Sequence, residues 1–297
     1  MVIGGAEDKV RERVILTRFV ALAGGPDARI AVISSASSLG PLAGEMYRKV
    51  FMELGAAAVW PIHAITRDQA NDDHAARTVR DSTGVFMTGG NQLRLSSTIG
   101  GTALAQAIAD RHRHGSVVAG TSAGASAMSS HMVAFGASGG TPKQRMVQMA
   151  AGLGILPAVI VDQHFQQRNR LGRLLATIAQ NPALLGLGID EDTCGVVSPD
   201  MVMEVIGRRS VTIVDGQASE TDAWEVRAHR PIMISNVVLH SLPVGYRFDL
   251  RRGGRRGGPP RRGRGGGAGA GAGGAAAGGP GGGVSVPPPQ ATKARVA

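Results

Sequence analysis

Cysteine is almost missing from this chain: Cys194 is the single one among 297 residues. One thiol excludes an intramolecular disulfide and any cysteine-rich metal cluster. Long apolar runs are missing too, since none reaches the roughly 18 to 20 residues that a membrane-spanning helix needs. The start, Met1-Val2-Ile3-Gly4-Gly5, lacks the basic and apolar regions of a secretory signal. Val2-Ile3 reads as a first strand with almost nothing before it, the pattern that a trimmed leader or a misplaced start codon leaves. A soluble, cytoplasmic protein is the expectation.

A third absence divides the chain. From Arg251 to Ala297 there is no acidic and no aromatic residue. Nine basic side chains fall there, so of the net charge of +10 only +1 belongs to residues 1–250. The Arg/Gly blocks Arg251 to Arg264 and the Gly/Ala/Pro tracts after them cannot bury enough apolar surface to offset ordering entropy. Residues 251–297 are expected to be a disordered tail, and residues 1–250 one domain with a sizeable core.

What is present in that domain is an alternation of short β-branched runs and helical patterns, which predicts an α/β fold with a mainly parallel central sheet. Strands are expected at Arg29–Ser34, Ala57–Pro61, Val85–Met87, Ser116–Ala119 and Val159–Asp162. Leu42, Met46, Val50 and Leu54 recur at helical spacing, as do Leu104 and Ile108, and Asp68 reads as an N-cap for the stretch to Arg80. Shorter runs after Leu187 read as an antiparallel extension of the same domain. Ligands of such sheets bind beyond the carboxyl ends of the strands. Three signals fall there: Thr88-Gly89-Gly90-Asn91-Gln92, Gly120-Thr121-Ser122-Ala123-Gly124, and Asp162-Gln163-His164.

The middle signal has the G-x-S-x-G form of a nucleophile elbow, in which a strained strand-to-helix turn pushes a serine hydroxyl out over the sheet edge. A serine hydroxyl needs a base, and the base an orienting partner. Of eight histidines, His164 ends an apolar run and is expected at the same sheet edge as Ser122. His112 and His114 lie in a charged helix end and read as solvated, and His131 points away. Asp190-Glu191-Asp192 supplies three carboxylates at another strand end, and spacing does not choose among them. Neighbouring side chains on extended backbone face opposite ways, so Glu191 is expected to face away from Asp190 and Asp192. Donors for an oxyanion would come from the Ala123 N–H and from the Gly89-Gly90-Asn91 loop. Arg170 and Arg173 sit off the apolar face of Leu171, Leu174, Leu175 and Ile178, where a guanidinium can take a substrate carboxylate bidentately.

Taken together, Gly4-Gly5-Ala6-Glu7-Asp8-Lys9, the Gly89-Gly90 loop, Gly120 to Ala125, Asp162-Gln163-His164-Phe165 to Arg173, and Gly188 to Thr193 resemble the cyanophycinase family, serine peptidase-like exo-hydrolases related to aspartyl dipeptidase. The resemblance spans residues 2–250. It implies a fold like that of class I glutamine amidotransferases (flavodoxin-like), and Ser122, His164 and Glu191 as nucleophile, base and acid. It also implies a substrate, cyanophycin, a poly-aspartate carrying arginine in isopeptide linkage, cleaved to β-aspartyl-arginine dipeptides. On that polymer Arg168, Arg170 and Arg173 would meet carboxylates, while Gln92, Asp162 and Gln163 would meet guanidinium or backbone. A homodimer is implied, and no metal or organic cofactor. Two features depart from the family pattern: Asn91 stands where Asp is also expected, and the Arg/Gly tail has no counterpart.

Rival readings differ in the residues they need. An aspartyl dipeptidase-like enzyme would share the serine and fold without needing the arginines after His164. A glutamine amidotransferase would need cysteine at the elbow. The tail has the charge of an RNA-binding Arg/Gly segment but none of the aromatics that stack on bases, so nucleic acid is not the expected partner.

Overall fold

Five short apolar runs near the N-terminal half become the parallel centre of a sheet. The computed structural model describes residues 1–251 and the strand Gly254–Arg255; the rest of the Arg/Gly-rich stretch, and the expectation of disorder for it, lie outside the described residues. In chain order the elements are β1 (Val2–Ile3), α1 (Val14–Leu22), β2 (Arg29–Ile33), α2 (Pro41–Glu53), β3 (Ala58–Ile62), α3 (Arg67–Ala70), α4 (Asp73–Asp81), β4 (Gly84–Met87), α5 (Gln92–Ile99), α6 (Ala103–Arg113), β5 (Val117–Thr121) and α7 (Ala123–Ala127). A hairpin of β6 (His131–Gly136) and β7 (Val147–Ala151) follows, then β8 (Val159–Gln163), α8 (Leu171–Gln180), β9 (Leu185–Ile189), β10 (Thr193–Val197), β11 (Val202–Gly207) and β12 (Ser210–Asp215). The last elements are β13 (Glu220–Thr221), β14 (Ile234–Ser235), β15 (Val238–Pro243), β16 (Arg247–Asp249) and β17 (Gly254–Arg255).

The nine-stranded sheet runs β17-β16-β11-β10-β1-β5-β4-β2-β3. From β1 to β3 every pairing is parallel, and β10, β11, β16 and β17 extend it antiparallel from the β1 edge. The order β3-β2-β4-β5 is the one expected of flavodoxin-like sheets. Alternation along each strand sends Ile30, Val32 and Phe86 to one face, under Phe19 of α1 and Tyr47 and Phe51 of α2. Ala31, Ile33, Val85 and Met87 go to the other, under α4, α5 and α6. This is an α/β domain covered on both faces of a largely parallel centre. Among the described residues no helix is long and apolar enough to cross a membrane.

Several local expectations need correction. The strand Val159–Gln163 does not join the main sheet but pairs in parallel with β9 in a second sheet of order β15-β12-β9-β8. The face of α2 that packs carries Ala43, Tyr47 and Phe51, whereas Leu42 is 68% and Met46 49% exposed. Asp68 caps nothing: Thr66 closes a capping box on α3, and Asp72 caps α4 by accepting the His74 N–H. On α8, Arg173 is buried along with Leu174 and Ile178, so the helix lies inside the second layer rather than on its surface.

Candidate active site

The elbow forms where β5 runs into α7. Ser122 has φ 51° and ψ −110°, outside the favoured regions for a residue with a Cβ. Its N–H donates to the Ile3 carbonyl at 3.0 Å. A Cβ at Gly120 would strike the Gly124 carbonyl and one at Gly124 the Met87 carbonyl, so strand and helix can approach this closely only with glycine at both places.

Ser122 Oγ lies 2.9 Å from His164 Nε2, and His164 Nδ1 lies 2.6 Å from Glu191 Oε1. With the proton on Nδ1 donated to Glu191, Nε2 is the acceptor for the serine hydroxyl. Gln163 Oε1 is also 3.4 Å from the hydroxyl. His164 arrives from the end of β8, in the second sheet, not from the edge that carries Ser122. Its N–H donates to the Gly4 carbonyl at 2.8 Å, and Gly5 packs so closely on the imidazole that any Cβ there would collide with it. Burial holds the imidazole below its ordinary pKa of 6.5, against the opposing pull of Glu191. It is therefore neutral at pH 7, the form that can take a proton.

Of the three consecutive carboxylates, Glu191 alone reaches the histidine. Asp190 accepts from Gln166 N–H (3.0 Å) and Ser210 Oγ (3.0 Å), and Asp192 accepts the Asp8 N–H (2.9 Å). Gln167, which sequence reading passed over, accepts the Glu191 N–H at 2.9 Å. His112, His114 and His131 are exposed.

The expected substrate and oxyanion groups divide. Among the described residues the N–H groups of Gly90 and Ala123 are not donated to protein, and neither is that of Gly89, where an added Cβ would lie 3.3 Å from Ser122 Cβ. Asn91 is not such a donor. Its N–H goes to Ala36 O at 2.9 Å, and its side chain caps α5 by accepting from Arg94 N–H. Asp162 is not open to a guanidinium from outside: it is 0% exposed, and its oxygens accept from Arg173 Nε (2.6 Å), Arg173 Nη2 and Arg170 Nη1 (3.3 Å). Arg173, 4% exposed, donates its remaining nitrogen to Gly136 O at 3.2 Å, so it too is internal. Arg170 is buried, with its Nε unpaired and its pKa pushed down to about 10 by burial, still charged at neutral pH. Arg168 is exposed and close enough to oppose protonation of His164. Gln92 donates through Nε2 to Val133 O (2.9 Å) and Ala134 O (2.7 Å), tying the β6 hairpin to the site. Cys194 is buried, its thiol pushed up to about 12 by burial, and it takes no part. Among the described residues no group of three or more His, Cys, Asp or Glu side chains could hold a metal ion.

A strained serine, a neutral histidine and a carboxylate in one line of hydrogen bonds, at the carboxyl ends of strands in an α/β domain, are the parts of a serine-type hydrolase. The sequence profile of peptidase family S51 matches residues 1–205, and the chain belongs to that family. It is 48% identical over 251 residues to a cyanophycinase of Geminocystis herdmanii (strain PCC 6308), covering 84% of this chain and 92% of that one. Against a cyanophycinase of Trichormus variabilis (strain ATCC 29413 / PCC 7937) the identity is 45%, covering 84% and 85%. The crystal structure of a peptidase from an acI-B1 Actinobacterium superposes with a TM-score of 0.61 at 21% identity, covering 83% of this chain and 94% of that one, which shows a shared fold.

Proposed function

We propose that this protein is a cyanophycin-degrading serine peptidase that acts from the chain end and releases β-aspartyl-arginine dipeptides through an acyl-enzyme. The observation that carries this is the hydrogen-bonded line Ser122–His164–Glu191 in a chain nearly half identical to cyanophycinases. Ser122 Oγ attacks the aspartyl backbone carbonyl as His164 Nε2 takes its proton. The Oγ–C bond forms, the C–N bond breaks, and His164 returns the proton to the departing amine. Water, activated by the same nitrogen, then releases the acyl group. Glu191 holds the imidazole by Nδ1 and stabilises it while it is charged. The N–H groups of Ala123, Gly89 and Gly90 are the donors for the oxyanion. Exposed Arg168 meets the carboxylates of the polymer, and the free Oε1 of Gln92, with the Gln163 amide, meets guanidinium or backbone. A homodimer is part of this reading. The cytoplasm is the compartment in which we place it.

The test is to incubate the purified protein with insoluble cyanophycin and assay soluble β-aspartyl-arginine. Release of dipeptide, lost by several orders of magnitude in Ser122→Ala with the fold intact, is the expected result. A protein that leaves the polymer intact but cleaves small aspartyl dipeptides overturns the substrate, and near-normal turnover in Ser122→Ala overturns the mechanism.

A further inference from the structure

The end of β1 and the loop after it hold the backbone of Ser122, of His164 and of Asp192 beside Glu191, and one buried side chain on that loop has no place in the reaction described above. Backbone groups make most of the ties. Ile3 O accepts from Ser122 N–H (3.0 Å), Gly4 O from His164 N–H (2.8 Å) and Gly5 O from Asp192 N–H (2.9 Å). The side chain is Glu7. Its carboxylate is buried and accepts the Thr121 hydroxyl at 2.6 Å through Oε2. Through Oε1 it accepts the Tyr47 hydroxyl and pairs with Lys9 Nζ at 3.0 Å. Lys9 also lies 5.1 Å above the Tyr47 ring, which fixes the cation from a second side.

Thr121 is buried and immediately precedes Ser122. A residue in a sparsely populated backbone region is strained, and it stays there only when its surroundings over-determine it. A carboxylate removed from water is strongly destabilising unless it is paired and hydrogen-bonded. Here that cost falls on a group whose one contact with the elbow is the residue before the serine. A hydrophobic side chain at position 7 would fill the space without it.

We propose that Glu7 is a positioning residue. Clamped by Tyr47 and Lys9, it holds Thr121 by its hydroxyl, and so keeps Ser122 in its strained conformation with Oγ aimed at His164. Tyr47 and Lys9 reach Oε1 and leave Oε2 to Thr121, a division that only a carboxylate permits without an unpaired donor. In Glu7→Gln the amide N–H₂ must face either Lys9 and Tyr47 or Thr121. This inference rests on Ser122 being the nucleophile and is independent of which polymer is cleaved.

The experiment therefore reads serine reactivity directly. Diisopropyl fluorophosphate is added to the full chain. Ser122 Oγ bonds phosphorus as fluoride leaves and His164 takes the proton, and the adduct is counted by intact mass. Misplacing a reacting group by about 1 Å costs roughly a hundredfold. Glu7→Gln and Thr121→Val are each expected to slow labelling by about 10- to 100-fold. The double variant should be no slower than the worse single one, and Thr121→Ser, which restores a hydroxyl, should recover most of the rate. The midpoint of the pH–rate curve, set by His164, should stay where it is. Thr121→Val leaves Glu7, Tyr47 and Lys9 intact, so the proposal stays testable should Glu7→Gln not fold. Equal labelling rates in folded Thr121→Val and the unsubstituted protein, or multiplied losses in the double variant, overturn the positioning role alone. No labelling of the unsubstituted protein overturns the nucleophile and this inference with it.

Discussion

Replacing Asp162 by asparagine separates a structural ion cluster from a substrate contact. Asp162 is fully buried, Arg173 is 4% exposed, and together with buried Arg170 they place one negative charge between two positive ones. Asparagine keeps the shape and removes the charge. It also sets an N–H₂ group against one of the Arg173 donors that now bond Oδ1 and Oδ2. Two guanidiniums are then left without an anion in a place water does not reach. Breaking a buried pair from one side costs about 3–5 kcal/mol. For a body of this size each kcal/mol lowers the melting temperature by roughly 2–4 °C, so a fall of about 6–20 °C is expected. Circular dichroism melts and urea titrations measure it, read as a shift in midpoint. The companion variant Asp162→Leu/Arg173→Met, which removes both principal partners, should regain a large part of the loss, because apolar replacement of a whole buried pair is often close to neutral. A substrate-facing Asp162 predicts the opposite pattern: unchanged melting and a raised KM. A melting temperature within about 2 °C of the unsubstituted protein would refute the buried-cluster argument.

Among Asp190→Asn, Glu191→Gln and Asp192→Asn, the Glu191 variant should lose most turnover, by roughly 10²- to 10⁴-fold, since the imidazole loses the partner that fixes its tautomer. The base works when neutral and its pKa lies below 6.5. The acid limb of kcat/KM should therefore fall below pH 6.5 and move lower still in Glu191→Gln, which lacks the carboxylate that raises it; a limb that moves upward, or a larger loss in either aspartate variant, contradicts the assignment. Phe86 packs with ring centroids 5.4, 4.6 and 5.2 Å from Phe19, Tyr47 and Phe51, so Phe86→Ala should cost about 3–5 kcal/mol in urea unfolding, and a loss under about 1 kcal/mol would mean the cluster relaxes around the hole. Removing residues 256–297, which carry no acidic and no aromatic side chain, should leave both the melting temperature and cleavage of a short soluble substrate unchanged, as calorimetry and a dipeptide-release assay would show.

Local chemistry made much of this protein readable in one dimension. The parallel strands announce themselves as β-branched runs because they are buried on both faces. The elbow at Ser122 is legible because only glycine allows the approaches at positions 120 and 124. Asp-Gln-His-Phe and the acidic turn at 190–192 mark strand ends. Tertiary structure decided the rest. An apolar run does not say which strand it pairs with, so the assignment of β8 to a second sheet came from contacts distant in the chain. Spacing left three carboxylates open; one of them reaches His164 because backbone and side-chain partners on Gly5, Asp8, Gln166 and Ser210 take up the aspartates beside it. Asp162 and Arg173 read as substrate-binding groups because burial of charge is unexpected until its partners are known, and they are partners to each other. The Glu7–Thr121 bond joins residues 114 positions apart, a distance at which sequence pattern carries no signal and only the folded chain can bring a carboxylate to the hydroxyl it holds.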